Sequence, residues 1–174
     1  MKYLVKFFVV TFLLLVSTHT LADQKIVVLD MKFVLNNSSA GKGAQDFLKK
    51  NFDKNQKEFL TMEQNLKKEE NDLLAKKTVI TREEYQKKAD ELRKKVIDYK
   101  SQRRLAMDQI ATKRAESREI LMKKLMPIVD TYIKENNISL VMDKKNMIGG
   151  STEYDITKII IDKLDKELPS LNLN

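Results

Sequence analysis

The chain has no cysteine, no tryptophan, one histidine, two prolines and four glycines among 174 residues. Each shortage removes a class of function. Without cysteine there is no disulfide staple, even in an oxidising compartment, and no thiolate nucleophile. The single histidine, His19, lies in the first 22 residues, so the remainder lacks the commonest general base and the usual transition-metal ligands. From Ala44 to Met126 there is neither glycine nor proline. These are the two residues that most often interrupt helices. What fills that span is Lys, Glu, Gln, Leu and Ala, which predicts long exposed helices in place of a compact globule. Such a shape suits holding or bridging other molecules better than enclosing a reaction.

The start of the chain has the character of a leader. Lys2 and Lys6 precede a ten-residue apolar run, Phe7 to Val16, broken only by Thr11, and Thr20-Leu21-Ala22 supplies small residues for a peptidase. The expected cleavage lies between Ala22 and Asp23. The run is well short of the ~20 apolar residues a membrane span requires, and no later stretch qualifies. The mature chain is therefore expected to be exported, to the periplasm, with no transmembrane span.

Removing Lys2 and Lys6 from the 33 basic residues leaves 31 against 25 acids, a balance of +6. All of it resides between Lys76 and Arg104. Eleven basic residues there (Lys76, Lys77, Arg82, Lys87, Lys88, Arg93, Lys94, Lys95, Lys100, Arg103, Arg104) face five acids (Glu83, Glu84, Asp90, Glu91, Asp98). A positive zone of this kind steers anionic partners over a range set by salt.

Gln24 to Asp30 (QKIVVLD) reads as a short strand covered on both faces, because four consecutive residues are apolar and mostly β-branched. Met31 to Leu35 reads as a brief helix. Asn36 to Ser39 and Gly41-Lys42-Gly43 carry turn chemistry. A long helix is expected from the region of Ala40 to Ala44. Its apolar residues Leu48, Phe52, Phe59, Met62, Leu66 and Leu73 recur on a heptad seam, with polar Asn55 and Glu69 at the skipped positions. Lys77 to Thr81 interrupts it. Thr81-Arg82-Glu83-Glu84 is a capping box, which starts a second helix. A short connector between long helices predicts an antiparallel hairpin. The return seam runs through Tyr85, Ala89, Leu92, Val96 and Tyr99, with Arg103 weakening it. Pro127 is expected to kink the helix without ending it, and Asn136-Asn137 to end it. The return arm spans ~80 Å and the outgoing arm ~50 Å at the helical rise. The surplus must pack on the strands.

Ile138 to Asp143 reads as a second strand and Asn146 to Ile148 as a third. Asp155 is the expected N-cap of a last helix, which Pro169 stops. The fold class is thus mainly α with a small β part. In domain terms, residues 23–43 and 127–174 form a β-containing body, and residues 44–126 an arm with its tip at about 76–84. Two or three short strands do not make a stable sheet alone, and open edges invite partners. The pattern predicts self-assembly, with Ile26, Val28, Leu140, Met142 and Ile148 in a shared β core.

The segments KIVVLDMKFVLNNSSAGKGAQ, ITREEYQKKADELRKKV, LMPIVDTYIKENNISLVMDKKNMIGG and DITKIIIDKLDKEL, in that order, resemble the Skp/OmpH family of periplasmic chaperones. The resemblance covers essentially the whole mature chain. It implies a jellyfish-like homotrimer with three hairpin arms around a cavity. It implies binding of unfolded outer-membrane proteins and, in some members, of lipopolysaccharide through basic residues.

No catalytic constellation accompanies this. Gly41-Lys42-Gly43 lacks both the preceding glycine and the following Ser or Thr of a phosphate-binding loop, and reads better as a helix start. Glu69-Glu70 and Glu83-Glu84 are neighbours on a helix and point apart. The chain is read as a non-enzyme with no cofactor or metal. Basic residues interleaved with acids, without an aromatic platform, argue against nucleic acid. The function expected is an ATP-independent holdase. Its client-facing residues are Met62, Leu66, Leu73, Val79, Ile80 and Tyr85. Its basic tip zone is Lys76, Lys77, Arg82, Lys87, Lys88, Arg93, Lys94 and Lys95, where anionic lipid is a further partner. The alternative is an exported adaptor coiled coil that binds a folded envelope partner.

Overall fold

The computed structural model describes residues 24–173; the expected leader and the expected cleavage between Ala22 and Asp23 lie outside them. Strand β1 (Lys25–Leu29) leads into helix α1 (Met31–Asn37), the long helix α2 (Ser39–Ala75), the longer α3 (Arg82–Glu135), strand β2 (Ile138–Asp143) and a final helix α4 (Thr157–Glu167). Two single 3₁₀ turns, Lys144–Asn146 and Thr152–Tyr154, lie between β2 and α4. The class is mainly helical with a small sheet, as the composition predicts.

Local chemistry sets each boundary. Asp30 Oδ1 accepts the Phe33 N–H at 2.8 Å and starts α1. Ser38 Oγ accepts the Gly41 N–H at 3.2 Å and starts α2. Thr81 and Glu84 form the reciprocal capping box at the start of α3. Helix α3 runs through Pro127 to Glu135. Asn136 caps it, and Asn137 follows with φ 51°, the left-handed region that Asn tolerates better than most residues.

Three expectations need correction. Asn36 to Ser39 do not make an open turn, and Gly41-Lys42-Gly43, given both turn chemistry and a helix start, takes the second role. Ser38 alone separates α1 from α2, and Gly41 and Gly43 sit within the first turns of α2. A side chain at Gly41 would overlap the Leu35 carbonyl oxygen, so this glycine permits a close corner between the helices. The third strand does not form: among the described residues the sheet has two strands. Asp143 Oδ1 accepts the Lys145 N–H at 3.2 Å and folds the chain into a 3₁₀ turn, Lys144–Asn146, that ends at the first residue of the expected strand and leaves Met147 and Ile148 irregular. Asp155 is one position upstream of the α4 N-cap, which is Ile156. Its Oδ1 nevertheless accepts the Thr157 N–H at 2.9 Å, the service a cap performs.

β1 and β2 pair in parallel, with Ile26 opposite Leu140, Val28 opposite Met142 and Leu29 opposite Asp143. Val27 and Leu29 enter a core built with Val34 and Leu35 of α1, Leu121, Leu125, Ile128 and Val129 of α3, Ile138 of β2, and Ile156, Ile160 and Leu164 at and along α4. The turns of α3 that outrun α2 therefore do pack against the strand. Helix α4 is locked to the end of β1 by Ile156 N–H to the Val28 carbonyl and by Asp30 N–H to Thr157 Oγ1, both 2.9 Å.

α2 and α3 form an antiparallel pair joined by Lys76–Thr81. The cross-contacts fix the direction. Phe47 receives the Lys113 ammonium over its ring at 5.4 Å, Phe59 meets Tyr99 edge-on at 6.1 Å, and Lys95 Nζ donates to Glu69 Oε2 at 2.6 Å.

Candidate functional site

Burial along the hairpin is graded. Near its base Ala44, Leu48, Phe59, Ile110 and Ser117 are buried. From Leu60 through Gln109, across the whole far part of both helices and the turn, no residue is buried. Seam residues Leu66, Leu73, Tyr85, Ala89, Leu92, Val96 and Tyr99 reach only half-burial there. A pair of helices has only one facing stripe each, so its seam stays open to water on two sides unless something else covers it.

That open seam is a groove of about 490 Å³ with an apolar floor that includes Leu66, Leu73, Tyr85, Leu92 and Val96. Its rim is charged with both signs, by Glu63, Glu70, Lys67, Arg93 and Lys100. Of the six residues expected to face a client, Leu66, Leu73 and Tyr85 line this groove. Met62 is exposed and does not line it, and Val79 and Ile80 lie in the connecting turn. Val79 is 79 % exposed and Leu74, one turn before it, 55 %. Sequence reasoning missed Leu74, and with it Leu60, Ile97 and Leu105, all more than half exposed. The signal was available. These are apolar residues off the heptad seam, among charged neighbours, and Leu74 also lines the groove.

The basic residues surround this tip. Lys76 and Lys77 are in the turn, and Arg82, Lys87, Lys88, Arg93, Lys94 and Lys95 follow on the first turns of α3. Arg93 is paired with Asp90 at 3.0 Å and Lys95 with Glu69 at 2.6 Å. Among the described residues the other six have no salt-bridge partner. Glu69, which breaks the apolar seam, is thus the anchor of an interhelical ion pair.

The residues expected in a shared β core divide. Val28 is buried by its own chain. Ile26 at 42 % and Leu140 at 51 % are exposed, as is Met142, and together they make an apolar strip across the two strands. Ile148 lies outside any strand and is fully exposed.

One electrostatic clamp stands beside the sheet. Lys144 Nζ donates to Asp155 Oδ2 at 2.6 Å. Partial burial pushes the Asp155 carboxyl up, but hydrogen bonds from Lys144 and Thr157 outweigh it and hold the carboxyl below its ordinary range. The same bond to Asp155 raises Lys144. Among the described residues no group of three or more His, Cys, Asp or Glu side chains converges as a metal site would require. No described helix is long and apolar enough to cross a membrane.

The family model described as outer membrane protein (OmpH-like) matches residues 25–164. A search of curated proteins found no significant match. Among solved structures, a protein from Caulobacter crescentus, described as a candidate outer membrane chaperone (OmpH-like), superposes with a TM-score of 0.78 at 19 % identity. The match covers 90 % of this chain and 92 % of that one. The likeness extends over the strands, the hairpin and the last helix together.

Proposed function

Because this chain belongs to the OmpH-like family, we propose that it is a periplasmic, ATP-independent holdase that binds unfolded outer-membrane proteins and prevents their aggregation. The observation that carries this reading is the absence of buried residues from Leu60 through Gln109. A rod built for stiffness would keep strong apolar residues at every seam position, whereas this seam carries Asn55 and Glu69. This hairpin instead presents a half-buried apolar groove with Leu66, Leu73 and Tyr85, and apolar tips at Leu74 and Val79. Unfolded barrel strands, with apolar residues at alternate positions, are chemically suited to such a surface. Binding the unfolded form opposes premature folding by mass action, and needs no catalysis.

The hairpin, residues 44–126, serves in this reading as a client-holding arm. Residues 23–43 and 127–174 serve as the body through which copies associate. The strip of Ile26, Leu140 and Met142 supports association, because an exposed apolar face on a two-stranded sheet is unstable in water. A homotrimer is the state the family resemblance implies, and three arms around one client would convert weak contacts into avidity. The unpaired cations Lys76, Lys77, Arg82, Lys87, Lys88 and Lys94 would speed encounter with acidic clients or an anionic lipid surface.

The test is aggregation of a urea-diluted barrel protein. Stoichiometric amounts of this protein, without nucleotide, should suppress light scattering. Failure to suppress it, together with capture of a folded envelope protein, would establish the adaptor reading instead. Leu140→Asp should shift the sedimentation coefficient to that of a monomer; an unchanged assembly would remove the sheet face from the interface.

A further inference from the structure

The chain continues past Leu164, where the family match stops, and past Glu167, where α4 ends. The Leu168 N–H closes α4 on the Leu164 carbonyl at 2.7 Å, and Pro169, without an N–H, prevents a further turn. Residues 169–173 are neither helix nor strand. They are nonetheless held. Leu168 and Leu171 pack against the core of the body. Lys113 Nζ donates to the Leu173 carbonyl at 2.7 Å, and the same ammonium stands over the Phe47 ring. One lysine therefore joins this tail to both helices of the hairpin. Lys113 lies about 12 Å up α3 from the core residue Leu121 at the helical rise. Residues 169–173 cover up to ~17 Å when extended, so the tail has the length to run from body to hairpin.

The tail alternates. Leu171 and Leu173 are half-buried, and Ser170 and Asn172 are exposed. Period two marks an extended segment with one face against a surface. It is also the pattern of a barrel strand, apolar at alternate positions. The base of the hairpin beside Phe47 and Lys113 thus already holds a short peptide of the kind the proposed clients contain. The hold is shallow. Among the described residues the Lys113 bond is the only hydrogen bond from residues 169–173 to the rest of the chain, and none of the five is fully buried. A segment with so few ties opens locally well before the fold does. A strap built only to brace the hairpin would bury its leucines and pair its backbone.

We propose that residues 170–173 stand in for a client. The base of the hairpin at Phe47 and Lys113 is a second client surface, closed by the chain's own tail until an unfolded segment displaces it. This rests on the holdase reading above. Lys113 is the shared contact, because its ammonium can donate to any extended backbone carbonyl that replaces that of Leu173. The tail lowers the apparent affinity of this surface by the fraction of molecules in which it is open.

Anisotropy titration of a labelled barrel protein, diluted from urea, tests this with three forms of the mature protein. They are the full chain, a chain ended after Pro169, and the full-length pair Leu171→Asp with Leu173→Asp, which leaves Phe47 and Lys113 in place. Both altered forms should bind ~3–10-fold more tightly than the full chain, as for a tail open in roughly one molecule in three to ten. Adding Phe47→Ser to the shortened chain should cancel the gain. In the full chain, the amide NMR signals of Leu171 and Leu173 should move to those of the free peptide LPSLNLN as the barrel protein is added. Equal or weaker binding by both altered forms, or tail signals that stay in place while the barrel protein binds, overturns the proposal and makes the tail a brace. Binding by none of the three forms overturns the holdase reading itself, and the tail proposal with it.

Discussion

The two ends of this molecule use the same residue types to opposite effect. At the base, Leu125, Val34, Ile160 and Leu164 are completely buried, because a sheet face and three helices converge on them. Toward the tip, Leu66, Leu73, Leu92 and Val96 sit on an equally regular heptad seam, yet only two helices meet there and each residue keeps part of its surface in water. The number of elements that surround a position, and not its hydrophobicity, decides how much of it is removed from solvent. Stability should therefore concentrate at the base, and adaptable apolar surface at the tip.

The sharpest way to break this contrast is a paired truncation. Leu125→Ala should cost ~2–5 kcal/mol in chemical denaturation, the range for a large buried side chain. Leu92→Ala should cost about 1 kcal/mol or less, in proportion to the smaller area it buries. Equal losses would mean that the far hairpin is as well packed as the core. Next comes the capping box. Thr81→Ala should cost about 1 kcal/mol. The loss should appear as faster hydrogen exchange at the start of α3, with little change in protection of β1 and β2.

The Lys144–Asp155 clamp tests the base by pH. Asp155 is depressed in the folded state, so its stabilisation is present above its ordinary value of 3.8 and is lost as pH falls through the lower folded value. Lys144 is raised, so its share is present below 10.5 and is lost as pH rises through the higher folded value. Lys144→Ala should make the acid unfolding profile, followed by circular dichroism, less steep just below pH 3.8. The smallest effect belongs to the tip-side ion pair. A double-mutant cycle on Glu69 and Lys95 should give about 0.2–1 kcal/mol, diminishing with added salt.

Much of this architecture was legible in the residues themselves. The strand Ile138–Asp143, the Thr81–Glu84 start of α3 and the Asn136-Asn137 stop were readable because each rests on chemistry between near neighbours. The seam was readable because helical period is a local property. What escaped depended on contacts distant in sequence. Gly41 and Gly43 look like a turn until the corner of α1 against α2 demands a residue without a side chain at Gly41. Met147 and Ile148 look like a strand until Asp143 turns the chain aside and Lys144 is drawn to Asp155. Glu69 looks like a flaw in the seam until Lys95, on the other helix, reaches it. For the candidate surface, Leu66, Leu73 and Tyr85 could be named from their spacing. Leu74 and Ile97 are passed over, because the seam pattern directs attention to the stripe itself, and these lie off it.

The parallel pairing of β1 with β2 sets an order of events for a newly made chain. Ile26 must find Leu140, and the whole hairpin lies between them. The hairpin closes through a short turn and near-neighbour contacts, whereas the sheet must wait for the last quarter of the chain to appear. Until then the leading segment Ile26–Leu29 is a sticky ribbon without a mate. The chain is thus exposed during its own birth, before its sheet can close.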